Sequence, residues 1–384
     1  MAMDIKKEPR SFLPMARARG FHTARTLMKQ FRLLFLLGLA LLLGACDSGN
    51  GGGQTASATP VNVNGFGTAQ NHVHSLVILP DAHQTMVLAT HYGIFRSQDH
   101  GATWQKTAGG PGQQMQGVMT YYLSYNPLNP QRLYVLTFYQ TGTIPRSSTL
   151  GLYTSGDGGK TWQLSTADAS VTSSTITFAQ AGNDSPSEVY IYLSNLGPLG
   201  LRVSRDNGQH FTQAGGPLPF GGLHDLLPIP DRPGHLLAYS DSGIASTSDG
   251  GSHWKVISNI QGSIFEMTTP GPNGPIYAEG DSGIYASQDG GQSFSLVYTQ
   301  HSYSSLTTSP EQPQVVYGKL GLGIYRSTDG GHTWSALPSI HGNLQVLVVD
   351  PNNANQVYLA LSYPTAVYHF QESSKTWQSI TPPA

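Results

Sequence analysis

An eight-residue turn is written seven times along this chain, and a chain built that way is confined to a repeat architecture. The copies are SQDHGATW (97–104), SGDGGKTW (155–162), SRDNGQHF (204–211), TSDGGSHW (247–254), SQDGGQSF (287–294), STDGGHTW (327–334) and FQESSKTW (370–377). The acidic position falls at Asp99, Asp157, Asp206, Asp249, Asp289, Asp329 and Glu372, giving steps of 58, 49, 43, 40, 40 and 43 residues. A period near forty, filled with short strand-like runs, predicts a propeller of four-stranded blades. Seven copies predict an all-β fold, a single seven-bladed β-propeller of four-stranded antiparallel blades over residues 72–384.

The turn's composition has a physical reason. Each copy sits between runs such as GIYRS and TWSAL, which favour strands, so each is a hairpin turn. The Asp carboxylate can accept from backbone N–H groups a few residues on and hold the turn shut. The Gly two residues later permits a positive φ. The closing aromatic (Trp104, Trp162, Trp254, Trp334 and Trp377, Phe elsewhere) is a large plug suited to the space between sheets. The pattern resembles the Asp-box, or BNR, repeat, over roughly residues 72–380. That resemblance implies a structural box at the blade periphery. The seventh copy, with Glu372 for Asp and Ser374 for Gly, predicts a looser turn. Calcium fits poorly, because each box offers one acid where an EF-hand-type loop needs several oxygen ligands.

The front end is a second signal. Residues 33–45 (LLFLLGLALLLGA) form thirteen apolar or small residues after Lys29 and Arg32. That is short for a membrane span and right for a signal-peptide core, so 1–45 is expected to be a signal peptide, with Met28 an alternative start. Its end, Leu43-Gly44-Ala45-Cys46, resembles a lipoprotein lipobox, which implies cleavage and lipid attachment at Cys46. This is the one cysteine, so disulfides play no part. Asp47 resembles an inner-membrane retention signal. Residues 46–71, rich in Gly, Ser, Thr and Asn, read as a flexible tether. A stretch of it, 61–66, is expected to add a strand to the last blade and close the ring. Charge divides at the same place. Residues 1–46 hold eight Lys/Arg against two Asp/Glu, and the remainder 12 against 20. An acidic domain without a basic run argues against nucleic acid.

His72, His74 and His91 are candidate site residues. His72 and His74 share one strand face, and His91 ends the neighbouring strand. His224 falls at the repeat phase of His74, each six residues before a proline. Inner strands line a propeller's channel. Converging imidazoles there could hold a metal, and hydrogen-bonded channel histidines are the competing reading. Gly280-Asp281-Ser282-Gly283 looks like a serine-protease motif, but Asp241-Ser242-Gly243 repeats it forty residues earlier, which predicts a blade turn. Gly158-Gly159-Lys160-Thr161 mimics a phosphate loop, but Thr154 replaces its first Gly and a strand follows.

Asp-box propellers include sialidases and xyloglucanases. The sialidase arginine motif ahead of the first box is missing: Arg96 is the one Arg between Cys46 and that box. Asp225, Asp241, Glu279 and Asp281 are acids that could face a channel, and glycoside hydrolysis requires a carboxylate pair. The single seven-bladed propeller is also similar to photosystem II assembly-factor-like and sortilin-like propellers, which are interaction proteins. The arginine-rich patch of the former has no counterpart here. The expectation is a binding or scaffolding propeller for a protein or glycan, without cofactor, lipid-anchored at the outer face of a bacterial membrane. The alternative is a sialidase-like or xyloglucanase-like hydrolase.

Overall fold

The computed structural model describes residues 64–384, except 83, 140–146, 169–170, 172–175, 261 and 272. The expected signal peptide, the lipid site Cys46 and the tether as far as residue 63 lie outside the described residues.

Seven four-stranded antiparallel sheets follow one another along the chain, each with its strands in sequence order. Blade 1 is the pattern: β1 (Val73–Ile78) pairs with β2 (Met86–Thr90), β2 with β3 (Gly93–Ser97), and β3 with β4 (Gln105–Ala108). The other blades span 118–166, 176–213, 225–256, 264–298, 304–336 and 343–379. Burial separates the strands. β1, the inner strand, carries both buried and half-buried residues, β2 is buried at every position, and β4 runs from exposed at Gln105 to buried at Ala108. Second strands such as Val189–Leu193 and Ile276–Gly280 are likewise buried throughout. Each is covered on both faces by neighbouring blades, so it reads as a near-continuous apolar run rather than an alternating one, interrupted in Ile276–Gly280 by Glu279.

The core is therefore divided into seven apolar clusters, one at each interface between blades. Each box aromatic enters a different one, on the side of the preceding blade: Trp104, Trp162, Phe211, Trp254, Phe294, Trp334 and Trp377 in turn. The boxes close as their chemistry predicts. In blade 1 the Ser97 hydroxyl donates to Asp99 Oδ1 (2.7 Å) and accepts from Gly101 N–H (2.8 Å). Asp99 also accepts from Thr103 N–H (2.8 Å) and Thr103 Oγ1 (2.5 Å). His210 and His253 replace that threonine in blades 3 and 4, each 2.7 Å from its Asp. In blade 7 no such clasp forms: Glu372 instead faces Lys375, and Ser374 meets Thr376.

Among the described residues no strand is shared between blades 7 and 1. Of the segment expected to add one, residues 64–66 are described, and they belong to a turn. Residues 64–71, read from composition as the end of the tether, pack into the seam between blades 7 and 1. Gly67 N–H donates to Thr365 O (2.8 Å), and Thr365 N–H to Thr68 O (3.0 Å). Phe66 is buried edge-on against Phe95 at 5.1 Å. Asn64 reaches Pro383 O (3.0 Å), and Trp104 Nε1 donates to Ile380 O (2.7 Å).

Candidate functional site

Because every blade repeats one topology, all seven inner strands run the same way. The starts of the first and third strands, and the ends of the second and fourth, share one rim of the ring. The boxes, between third and fourth strands, lie at the other. A cavity of about 340 Å³ lined by Arg132, Asp157 and Trp162 belongs to the box rim. The histidines and the candidate acids belong to the first.

His72 precedes β1, His74 stands on it, and His91 sits in the β2–β3 turn, where its N–H donates to His72 O (3.0 Å). The three rings do come together: centroids are 4.4 Å apart for His72–His91 and 4.7 Å for His74–His91. They pack side by side rather than pointing lone pairs at one centre. Among the described residues no three His, Cys, Asp or Glu side chains are placed to hold a metal ion. The rings extend into an aromatic belt across three blades. Tyr363 of blade 7 meets His72 at 4.5 Å, Tyr121 of blade 2 stacks on His74 at 3.5 Å, and Phe138 stands edge-on to Tyr121 at 5.2 Å. Burial lowers all three imidazole pKa values, His91 to about 4, and proximity to other histidines adds to this for His74 and His91. The belt is therefore uncharged at neutral pH. The buried Nε2 atoms of His72 and His74 have no hydrogen-bond partner.

His224 shares the rim and the repeat phase of His74 but stands apart from the trio, in blade 4. Its Nδ1 donates to Ile264 O (2.7 Å), its Nε2 faces Asp241 Oδ1 (3.2 Å), and its ring stacks on Phe265 at 6.0 Å. Around it lies an acidic quarter. Asp225 opens the inner strand Asp225–Pro228 of blade 4. Glu266, on the inner strand Ile264–Thr268 of blade 5, is the direct cross-strand partner of Glu279. Like charges directly opposed repel. Burial pushes the carboxyls of Asp225, Glu266 and Glu279 each up to about 7. Glu279 raises Glu266 further, and Asp281 raises Glu279. Backbone N–H groups of Leu306 and Ser305 on Glu266, and the Ser302 hydroxyl on Glu279 (2.7 Å), oppose the rise.

Sequence reading named every acid of this quarter except Glu266. The signal was a single Glu inside the apolar run IFEMT, where an acid is tolerated only with hydrogen-bond partners, here the N–H groups of Leu306 and Ser305. Gly280–Gly283 is a blade turn, as its repetition predicts: one strand ends at Gly280 and the next starts at Gly283. There the φ of Gly283 is +130°, and a Cβ would lie 2.0 Å from Tyr298 O, so only glycine fits. Lys160 and Thr161 belong to the box clasped by Asp157.

The BNR/Asp-box repeat model matches residues 325–336, the third strand and box of blade 6. The chain is a seven-bladed propeller whose sixth box matches that repeat model. No curated protein matches it by sequence. Among solved structures it is similar to the GH74 xyloglucanase of Xanthomonas campestris, with a TM-score of 0.60 and 14% identity over 84% of this chain and 55% of that one. It is also similar to YCF48 bound to D1 peptide (TM-score 0.57, 13% identity, 80% and 96% covered). A third is the WD40 β-propeller domain of Doa1 (TM-score 0.52, 11% identity, 81% and 96% covered). At such identities the likeness shows the fold. The chain spans about half the length of the GH74 enzymes, 55% and 53% of two of them.

Proposed function

We propose that this Asp-box propeller is a binding module, held by a lipid on Cys46 at the outer face of a bacterial membrane, whose first rim captures a segment of a protein or glycan partner. The observation that carries the reading is the uncharged His–Tyr belt running over blades 7, 1 and 2 at the channel mouth. Flat, uncharged rings packed against one another offer a partner a surface for stacking. The peptide-bound YCF48 structure is a precedent for a propeller of this length meeting a peptide.

A photo-crosslinking residue at position 363, on this rim, is expected to trap a discrete partner on native membranes, and one at Leu128, on the box rim, is not. Equal trapping from both would overturn the reading. Cys46→Ala is expected to release the protein from the membrane and remove a diacylglyceryl mass.

One observation favours the hydrolase alternative. Glu266 and Glu279 face each other with carboxyls near 7, so one can be protonated while the other is ionised, which acid–base glycoside cleavage needs. Turnover of xyloglucan and other soluble β-glucans by the purified chain, abolished in Glu279→Gln, would establish it in place of the binding reading.

A further inference from the structure

The first rim carries two further features that fall together. Among the described residues, six of the ten large apolar side chains left exposed stand there: Tyr139, Leu196, Leu199, Phe265, Leu322 and Tyr363. Leu128 is at the box rim, and Leu164, Val256 and Leu296 are on outermost strands. Leu322 is 69% exposed and Tyr363 47%, on the second-to-third-strand turns of blades 6 and 7. Exposed apolar side chains scattered singly are ordinary, but Phe265, Leu322 and Tyr363 stand on three successive blades at one rim. The second feature is charge. Asp225, Asp241, Glu266, Glu279 and Asp281 sit beside Phe265 at the mouth of blades 4 and 5. Lys319, which is near Glu266, donates to Leu344 O (3.0 Å). Tyr122 and Tyr239 also face this quarter, from blades 2 and 4, and His224 stands over Asp241.

Resting on the binding reading above, we propose that the occupant of this rim is a basic, aromatic-rich segment of a protein partner, its lysine or arginine side chains over the acidic quarter and its apolar side chains against Phe265, Leu322 and Tyr363. Charge complementarity selects it. An acidic glycan or sialoside would bring its carboxylates against the exposed Asp241 and Asp281 and against three carboxyls that titrate near 7, and a neutral glycan would offer this quarter no counter-charge. Glu266 and Glu279 oppose one another across a strand pair with carboxyls near 7, so a cation placed beside them favours the ionised form of both.

The test uses the full chain and three labelled peptides of equal length, alternating lysine with tryptophan, glutamate with tryptophan, and lysine with serine, followed by fluorescence anisotropy. The lysine–tryptophan peptide is expected to bind about tenfold tighter than either other, and to weaken as salt rises. Glu266→Gln with Glu279→Gln should cost about tenfold, and Leu322→Ser, a surface change that cannot unfold a blade, about threefold. Neutralising acids of the box rim, Asp81→Asn with Asp231→Asn, should leave the affinity unchanged. Equal binding of the glutamate peptide, indifference to the Glu pair, or no binding of any peptide would overturn the proposal. Partner crosslinks from position 363 in those same circumstances would leave the binding propeller standing and remove only the basic segment.

Discussion

Glu266→Gln is expected to stabilise this protein, and only above acid pH. The carboxyl lies opposite Glu279 and near Asp225, and burial first, then these charges, raises it from 4.5 to about 7. The native state therefore binds more protons than the unfolded chain between those values, so the stability this group contributes is present below about 4.5 and lost as pH rises through about 7. At about 1.4 kcal/mol per pH unit, the ionised folded state carries a cost of about 3 kcal/mol. Glu266 retains some exposure to the channel, and its repulsion is shared with Glu279, so the amount recoverable by one substitution is about 1–2 kcal/mol. Gln keeps an oxygen to accept from Leu306 and Ser305 N–H and adds no volume. Thermal unfolding of both proteins from pH 4.5 to 8.5 should superimpose at the acid end and separate by roughly 1.5–3 °C at pH 8, the variant higher. A lower melting temperature in the variant at pH 8, or a difference that does not change with pH, would show that the carboxyl is not held out of water beside its neighbours.

Asp329→Ala removes acceptors for Thr333 N–H (2.9 Å), Thr333 Oγ1 (2.6 Å) and Ser327 Oγ (2.8 Å), and should lower unfolding stability by about 1–2 kcal/mol in denaturant titration. Glu372→Ala, in the unclasped seventh box, should change it by less than about 0.5 kcal/mol. Phe66→Ala should cost about 3 kcal/mol, because the ring is buried in the seam against Phe95, and a chain starting at 72 should melt earlier than one starting at 64. His91, held near 4 by burial and by His72, contributes stability that is present above 6.5 and lost as pH falls toward 4, so His91→Gln should flatten that acid limb. Metal analysis of the purified chain should find no stoichiometric zinc, copper, nickel or iron, and one equivalent bound at the histidines would refute the side-by-side ring packing.

The fold was legible because the box is local chemistry. Ser, Asp, Gly and Thr close a turn within eight residues, and the spacing of the turns counts the blades. The aromatic plug was legible too, since it is the large apolar side chain of the turn and enters the cluster shared with the preceding blade. The seam was not. Gly67 and Thr68 contribute to it through backbone groups, and Asn64 and Phe66 through single side chains, that composition does not distinguish from a tether. The histidine trio was brought together as its strand positions implied. Whether rings converge or stack, however, depends on side-chain rotamers and on Tyr121 and Tyr363, which arrive from blades 2 and 7. Glu266 was hidden because a single acid in an apolar strand gains meaning only when the opposite strand is known to place Glu279 beside it.

The seam also has a mechanical meaning. Asn64 touches Pro383, so the described chain enters and leaves the ring at one place. Blades 1 and 7 are each complete sheets, and what joins them is side-by-side packing with a handful of hydrogen bonds around Thr365, Trp104 and Asn352. A pull on the segment before residue 64 is borne first by this junction, where the contacts break in succession, like stitching unpicked from its end. The other six interfaces, each linked by continuous chain, stay unloaded until the ring has opened, so under tension this protein yields by opening its ring before any blade unravels.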